Sequence, residues 1–178
     1  MLLFINIMIL LFIDILIFIL GGEILRIGKY NFEYIQTIKP LTDEIGNIYR
    51  YSPQSRYNNK KNLKLHNYGD GEFCIFKLEN ANVVSGVYAW IIKGEASPIY
   101  IGEAKNFRKR FNTGYGIISP RNCFVGGQIT NCKMNKVVLD SYDKGLEIDI
   151  YFLKTLDYKN IELELLSEIK TIYNNKNN

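Results

Sequence analysis

Histidine is almost missing from this chain. Its one copy, His66, stands far from any matching serine or cysteine motif, so Ser-His and Cys-His nucleophilic catalysis have no support. Cysteine is nearly as scarce. Three copies (Cys74, Cys123 and Cys132) are too few and odd in number for a disulfide framework, which points to a reducing compartment. Cys123 and Cys132 have eight residues between them and lack a CxxC partner or a nearby histidine. A zinc site there would have to recruit ligands from afar. Tryptophan occurs once, whereas Tyr reaches 13 and Phe 10. Excess charge is also small: the net value of +4 permits an anionic partner without demanding one. Apolar content of 47% with 22% charged residues belongs to a globular chain, and 178 residues suffice for one domain with a core, plus an added segment.

Charge is nearly absent on a longer scale at the N-terminus. Met1 to Leu20 holds sixteen Leu, Ile or Phe residues, broken by Asn6 and Asp14. Twenty residues is about the length that crosses a bilayer as a helix, and it exceeds a usual signal-peptide apolar stretch. Sixteen such residues at about −0.3 to −0.6 kcal/mol each outweigh one Asp at about +3 kcal/mol. An apolar N-terminal helix is therefore expected. Two readings of it stand open: a membrane anchor, and an extension from a start assigned too early. As an anchor it would be followed by Arg26, Lys29 and Lys39, which would keep the remainder on the cytoplasmic side.

The composition divides the chain into the apolar segment 1–22, an N-terminal extension 23–83 and a domain 84–178. In the extension, Ser52-Pro53 and the stretch from Tyr57 to Asn62 read as loops with a solvated charge cluster at Lys60-Lys61. Phe73 to Leu78 resembles a short strand. The basic, Tyr-rich loops fit either a solvated face or a surface lying along DNA.

The pattern after residue 84 is clearer. Gly86 to Ile92 reads as a buried strand, Lys93 to Pro98 as a turn and Ile99 to Gly102 as the returning strand. Asn106 is placed to cap a helix whose Phe107 and Phe111, four apart, share a buried face, and Asn112 to Gly116 ends it. A helix from Asn131 to Asp140 follows. A strand from Leu146 to Phe152 comes next, with Ile148, Ile150 and Phe152 on one side. The last helix, Ile161 to Tyr173, carries Leu165, Leu166, Ile169 and Ile172 on its apolar stripe. The order predicts an α+β fold with a small three-stranded antiparallel sheet flanked by helices.

Within this frame, Gly86-Val87-Tyr88 precedes Tyr100-Ile101-Gly102, and Arg110 lies ten positions after the second tyrosine. This resembles the GIY-YIG nuclease superfamily, many of whose members read Tyr-Ile-Gly-x-Ala-x-x-Leu-x-x-Arg-Leu. Here the run is Tyr100-Ile101-Gly102-Glu103-Ala104-Lys105-Asn106-Phe107-Arg108-Lys109-Arg110-Phe111. The resemblance covers residues 84 to 174. It implies a compact domain that cleaves nucleic-acid phosphodiesters, with catalytic residues matched by Tyr88, Tyr100 and Arg110. It also implies a glutamate on the last helix, with an asparagine beyond. Glu162, three residues before Leu165-Leu166 and eleven before Tyr173-Asn174, fits that spacing better than Glu164 or Glu168, and Asn174 is the matching asparagine. The two tyrosines stand twelve apart, a little more than usual, and the interval from Arg110 to Glu162 is long. An inserted element at about residues 112–135 fills part of it. Its glycines and amides fit either a structural loop or a substrate-reading loop, as in the restriction-type branch of the superfamily, with Arg121, Asn122, Gln128 and Asn131 as contacts.

The chemistry of such a set is direct. One carboxylate, Glu162, can anchor a Mg²⁺ or Mn²⁺ ion that keeps several waters and takes a phosphate oxygen. Arg110 offers a planar fork for the phosphate. The resemblance implies that Tyr88 accepts the proton of water and Tyr100 orients it, roles the sequence alone leaves exchangeable. Lys105, Arg108 and Lys109 add positive charge for the backbone of the nucleic acid. The expected activity is a metal-dependent DNA endonuclease of restriction or mobile-element type. The alternatives are a binding module that kept the fold and lost catalysis, and a membrane-tethered protein. One active site cuts one strand, so double-strand cleavage would call for a homodimer or sequential action.

Overall fold

Alternation, hairpin turns and short helices organise the chain in a regular order. The computed structural model describes residues 24–174. In chain order its elements are β1 (Ile24–Ile27), β2 (Tyr30–Thr37), β3 (Arg50–Tyr51), β4 (Phe73–Cys74), β5 (Gly86–Ile92), β6 (Tyr100–Ala104), α1 (Phe107–Lys109), α2 (Ile129–Asp143), β7 (Ile148–Lys154) and α3 (Tyr158–Glu168). The main sheet is antiparallel and runs β1-β2-β7-β5-β6. It has five strands, which corrects the three-stranded expectation. The expected β5, β6 and β7 are present, and the hairpin β1-β2 pairs along the remaining edge of β7. That edge would otherwise carry unpaired backbone groups beside a buried strand. Gly28, at φ +57, supplies the turn that lets the hairpin form. The apolar helix expected over residues 1–20 lies outside the described residues. Among the described residues no helix is long and apolar enough to cross a membrane.

Because successive strand side chains point to opposite faces, β5 feeds two cores at once. Tyr88 and Trp90 join Phe107, Phe111, Tyr115 and α2 on one face. Val87, Ala89 and Ile91 face Ile161 and Leu165 of α3, with Ile27 and Phe32 from the hairpin, on the other. Ile148, Ile150 and Phe152 do share one side, as their alternation predicts. A third, smaller cluster joins Phe73, Ile118, Cys123, Phe124 and Cys132. Of the strand expected over Phe73 to Leu78, Phe73–Cys74 pairs with β3 and Phe76 forms an isolated bridge to Pro40.

Helix boundaries differ from the expectation: α2 extends beyond Asn131 to Asp140 at both ends and α3 starts at Tyr158 rather than Ile161, but two ends depart most. The helix that Asn112 to Gly116 should break instead widens into a π-helical turn over Arg110–Tyr115, closed by the Gly116 N–H on the Phe111 carbonyl at 2.7 Å. The last helix ends at Glu168, not Tyr173: Ile169 is extended (φ −116, ψ 119) and Ile172 is 58% exposed, off any buried stripe. The chain leaves the helix there to reach the outer edge of β6, where the Tyr173 N–H donates to the Ile99 carbonyl at 3.0 Å.

Candidate active site

The site is built where β5 and β6 pair. Register sets Tyr88 opposite Gly102, and Tyr100 two positions along the same face. A Cβ on Gly102 would lie 2.6 Å from the Tyr88 hydroxyl oxygen and 2.9 Å from the Tyr100 ring, so only glycine leaves room for the two phenols. Asn106 caps α1 by accepting the Lys109 N–H at 2.9 Å, which fixes the start of the helix that delivers Arg110. The wider π turn then brings Tyr115, five residues on, back beneath Arg110. The guanidinium lies 4.5 Å from the Tyr115 ring centroid.

The polar atoms form one network. Arg110 Nε donates to the Tyr88 hydroxyl at 3.1 Å, and the Tyr88 and Tyr115 hydroxyls share a hydrogen bond at 2.7 Å. Tyr115 in turn donates to Tyr100 at 3.5 Å. Arg110 Nη1 donates to Asn131 Oδ1 at 3.4 Å. A guanidinium carries five N–H donors, so three stay available on Arg110 for a ligand. Tyr88 and Tyr115 are fully buried, and burial pushes both phenols well above their ordinary range; Tyr100 adds to the rise at each, and Arg110 opposes it without prevailing. Burial works against the charge of Arg110, but attraction from Tyr88 and Tyr115 outweighs it and holds the guanidinium positive.

Arg110 opens on a cleft of about 980 Å³, with Lys105, Lys109, Asn131 and Lys159 on its walls and Glu103 among them. Glu162, on the first turns of α3, is half-buried. Its carboxylate is raised above the ordinary value by burial and then by the Glu103 charge, against the pull of Arg110 and a hydrogen bond to the Glu103 backbone. Glu164 is engaged elsewhere, by Lys29 at 2.7 Å and Tyr30 at 2.9 Å. Glu168 lies beside Gly28 in the same hairpin. Of the three acids, Glu162 is the one coupled to Arg110.

Asn174 does not join the phenols. Its Oδ1 accepts the Ile101 N–H at 2.8 Å and its Nδ2 donates to the Ile101 carbonyl at 2.6 Å, so the side chain acts as a strand partner along the edge of β6. Glu103, whose charge opposes the ionisation of Glu162, lies two residues further along that strand. The basic candidates divide. Lys105 and Lys109 line the cleft, while Arg108 is exposed outside that lining. Arg121 donates to the Phe124 carbonyl at 3.2 Å, Asn122 gives its carbonyl to His66 at 2.7 Å, and Gln128 precedes α2 without capping it. Asn131 reaches the site, as the partner of Arg110.

Tyr115, Lys159 and Glu103 are the members that sequence reasoning missed. Tyr115 falls in the glycine-rich insert, and only the π turn brings it back under Arg110. Glu103 stands inside the motif itself and was legible there.

Among the described residues no group of three or more His, Cys, Asp or Glu side chains is placed to hold a metal. The donor set still suits Mg²⁺ or Mn²⁺. Two carboxylates near enough for Glu103 to oppose the ionisation of Glu162 form a negative spot that a divalent cation would relieve, and Mg²⁺ takes few protein ligands and keeps its waters. Comparison with protein-family models, with curated proteins and with solved structures returned no match for this chain.

Proposed function

We propose that this protein is a metal-dependent endonuclease of the GIY-YIG type that hydrolyses DNA phosphodiester bonds. The observation that carries the reading is a hydrogen-bonded chain of three phenols, two of them in contact with Arg110, beside a cleft lined by that arginine and three lysines, with Glu162 within electrostatic reach of the arginine. A bound phosphate would take the three free donors of Arg110, which match the charge that grows on the phosphoryl oxygens as the bond breaks. Asn131 and Tyr88 hold the guanidinium in place before the substrate arrives, so little reorganisation remains at the moment of reaction. Glu162, with Glu103 beside it, would hold the cation, which supplies Lewis-acid polarisation of the phosphate.

The attacking water must lose a proton. The phenol network is the acceptor that the chain offers once it has released one proton to solvent: Tyr88, Tyr115 and Tyr100 are linked by hydrogen bonds, so the negative charge of that phenolate is shared among them. Arg110 is its counter-charge, and taking the proton of the attacking water returns the phenolate to the neutral phenol. Because burial holds Tyr88 and Tyr115 above the usual tyrosine value, this base is weakly populated at neutral pH.

Plasmid nicking with Mg²⁺ tests the assignment. Arg110→Ala and Glu162→Gln are expected to abolish cleavage while leaving the circular dichroism spectrum unchanged. Full activity in either variant would sink the assignment of that residue to the site, and no cleavage by the wild-type protein at any metal or salt concentration would remove the enzyme reading in favour of a binding module.

A further inference from the structure

Residues 45–69 contain Arg50, Arg56, Lys60, Lys61 and Lys64 and not one Asp or Glu. A stretch of 25 residues thus carries +5, against +4 for the whole chain. The segment is held in place rather than loosely attached. It forms β3 and an isolated bridge from Leu65 to Phe124, and Val125 N–H donates to the Lys64 carbonyl at 2.8 Å. Tyr57 packs against Phe124 with ring centroids 4.6 Å apart, and His66 bonds the Asn122 carbonyl. Arg50 is paired with Asp143 at 2.6 Å. Arg56, Lys60, Lys61 and Lys64 are exposed, and none of them is in an ion pair among the described residues.

The position of this arm is set by the first turn of α2. There Asn131 bonds Arg110, the next residue, Cys132, packs in the small core that the arm covers, and Lys133 lies 5.6 Å from the ring centroid of Tyr68. Three consecutive residues therefore join the catalytic cleft to the base of the arm. Four exposed cations on a fixed scaffold beside a phosphate-binding cleft match a polyanion whose charges continue on either side of the reacting bond.

We propose that residues 45–69 form a second binding element that grips backbone phosphates of duplex DNA flanking the bond held at Arg110; this rests on reading the cleft as a phosphodiester site. Arg56, Lys60, Lys61 and Lys64 make sequence-independent contacts there. They set affinity and its salt dependence and leave the chemical step alone.

The test uses the full chain carrying Glu162→Gln, so that the probe stays intact, and a fluorescent duplex of about 30 base pairs at about 50 to 200 mM salt. Replacing the four cations by Gln should weaken binding about tenfold or more and flatten the log K against log salt slope by about 0.9 for each cation that touches a phosphate. The milder pair Lys60→Gln and Lys61→Gln, in exposed loops, should give a proportionate part of both effects should the fourfold variant fold poorly. Unchanged affinity and slope in the variants would overturn the arm. So would a loss confined to phosphatidylserine vesicles, which would make it a membrane contact. The two readings fail separately: an arm without effect in a protein that nicks plasmid leaves the nuclease standing. A protein that binds through the arm but never nicks leaves the arm standing alone.

Discussion

Tyr88 and Gly102 define the site from opposite strands, and each makes a prediction at the scale of one residue. A base works only when deprotonated, so a base whose pKa lies above the ordinary tyrosine value of about 10 should give a rate that climbs about tenfold per pH unit from neutrality. Burial places Tyr88 there. Cleavage measured from about pH 6.5 to 9.5 should therefore rise without a plateau, and Tyr88→Phe should lower the rate about 10²- to 10⁴-fold and flatten the profile. A wild-type plateau near neutral pH would assign the proton to another group. Gly102→Ala tests the space rather than the acid–base chemistry. Its methyl group would lie 2.6 Å from the Tyr88 hydroxyl, and that phenol is enclosed by Tyr115, Phe111 and Arg110. Overpacking of this kind costs about 1–3 kcal/mol, to be read as a lower melting temperature, with cleavage lost beyond the loss of folded protein.

At the scale of elements, what was legible and what was not follows from locality. The β5-β6 hairpin, the Asn106 cap and the alternation of β7 depend on neighbours in sequence, and they stand where the residues put them. Tyr115 was not legible, because its place under Arg110 needs a single i→i+5 turn that no periodicity announces. The end of α3 was misjudged for the opposite reason. Leu165, Leu166, Ile169 and Ile172 keep helical spacing, but the open edge of β6 draws the chain out of the helix after Glu168. Asn174 shows what that edge gains. It satisfies both the N–H and the carbonyl of Ile101, two groups that a strand edge would otherwise leave to water. Asn174→Ala should accordingly lower stability by about 1–3 kcal/mol, the cost of leaving such groups without partners. Thermal melting should detect it, and Asn174→Asp, which keeps only acceptors, should restore the bond from the Ile101 N–H and leave the carbonyl unmatched. Melting unchanged by Asn174→Ala would mean that Tyr173 holds the edge unaided.

At the scale of the whole molecule, the sheet and both large cores run across the boundary at residue 84 where the composition changes. A domain beginning at residue 84 would contain every motif residue, yet it would lack two strands of the sheet and much of both cores. Phe32 is fully buried, Ile27 nearly so, and both pack against the α3 residues Ile161 and Leu165. Leu165 also closes on the Gly28 turn, where a Cβ would come within 3.2 Å of its methyl. On the opposite face Phe76 and Leu78 lie in the core with Trp90 and Phe111, and Phe76 meets Trp90 edge to face at 6.4 Å. Losing one buried Phe of this kind costs about 3–5 kcal/mol, a large part of the 5–15 kcal/mol that holds a domain together. A fragment of residues 84–178 gives up Phe32, Phe73 and Phe76 together and opens the edge of β7 as well. It should not fold, showing no cooperative thermal transition and no dispersed amide spectrum. Residues 24–178 retain all of these contacts and should melt in a single transition. A cooperative transition from the shorter fragment would show that the hairpin and the segment after it are additions to a self-sufficient domain. Its absence would make the stretch from residue 24 part of what places Tyr88, Arg110 and Glu162 within reach of one phosphate.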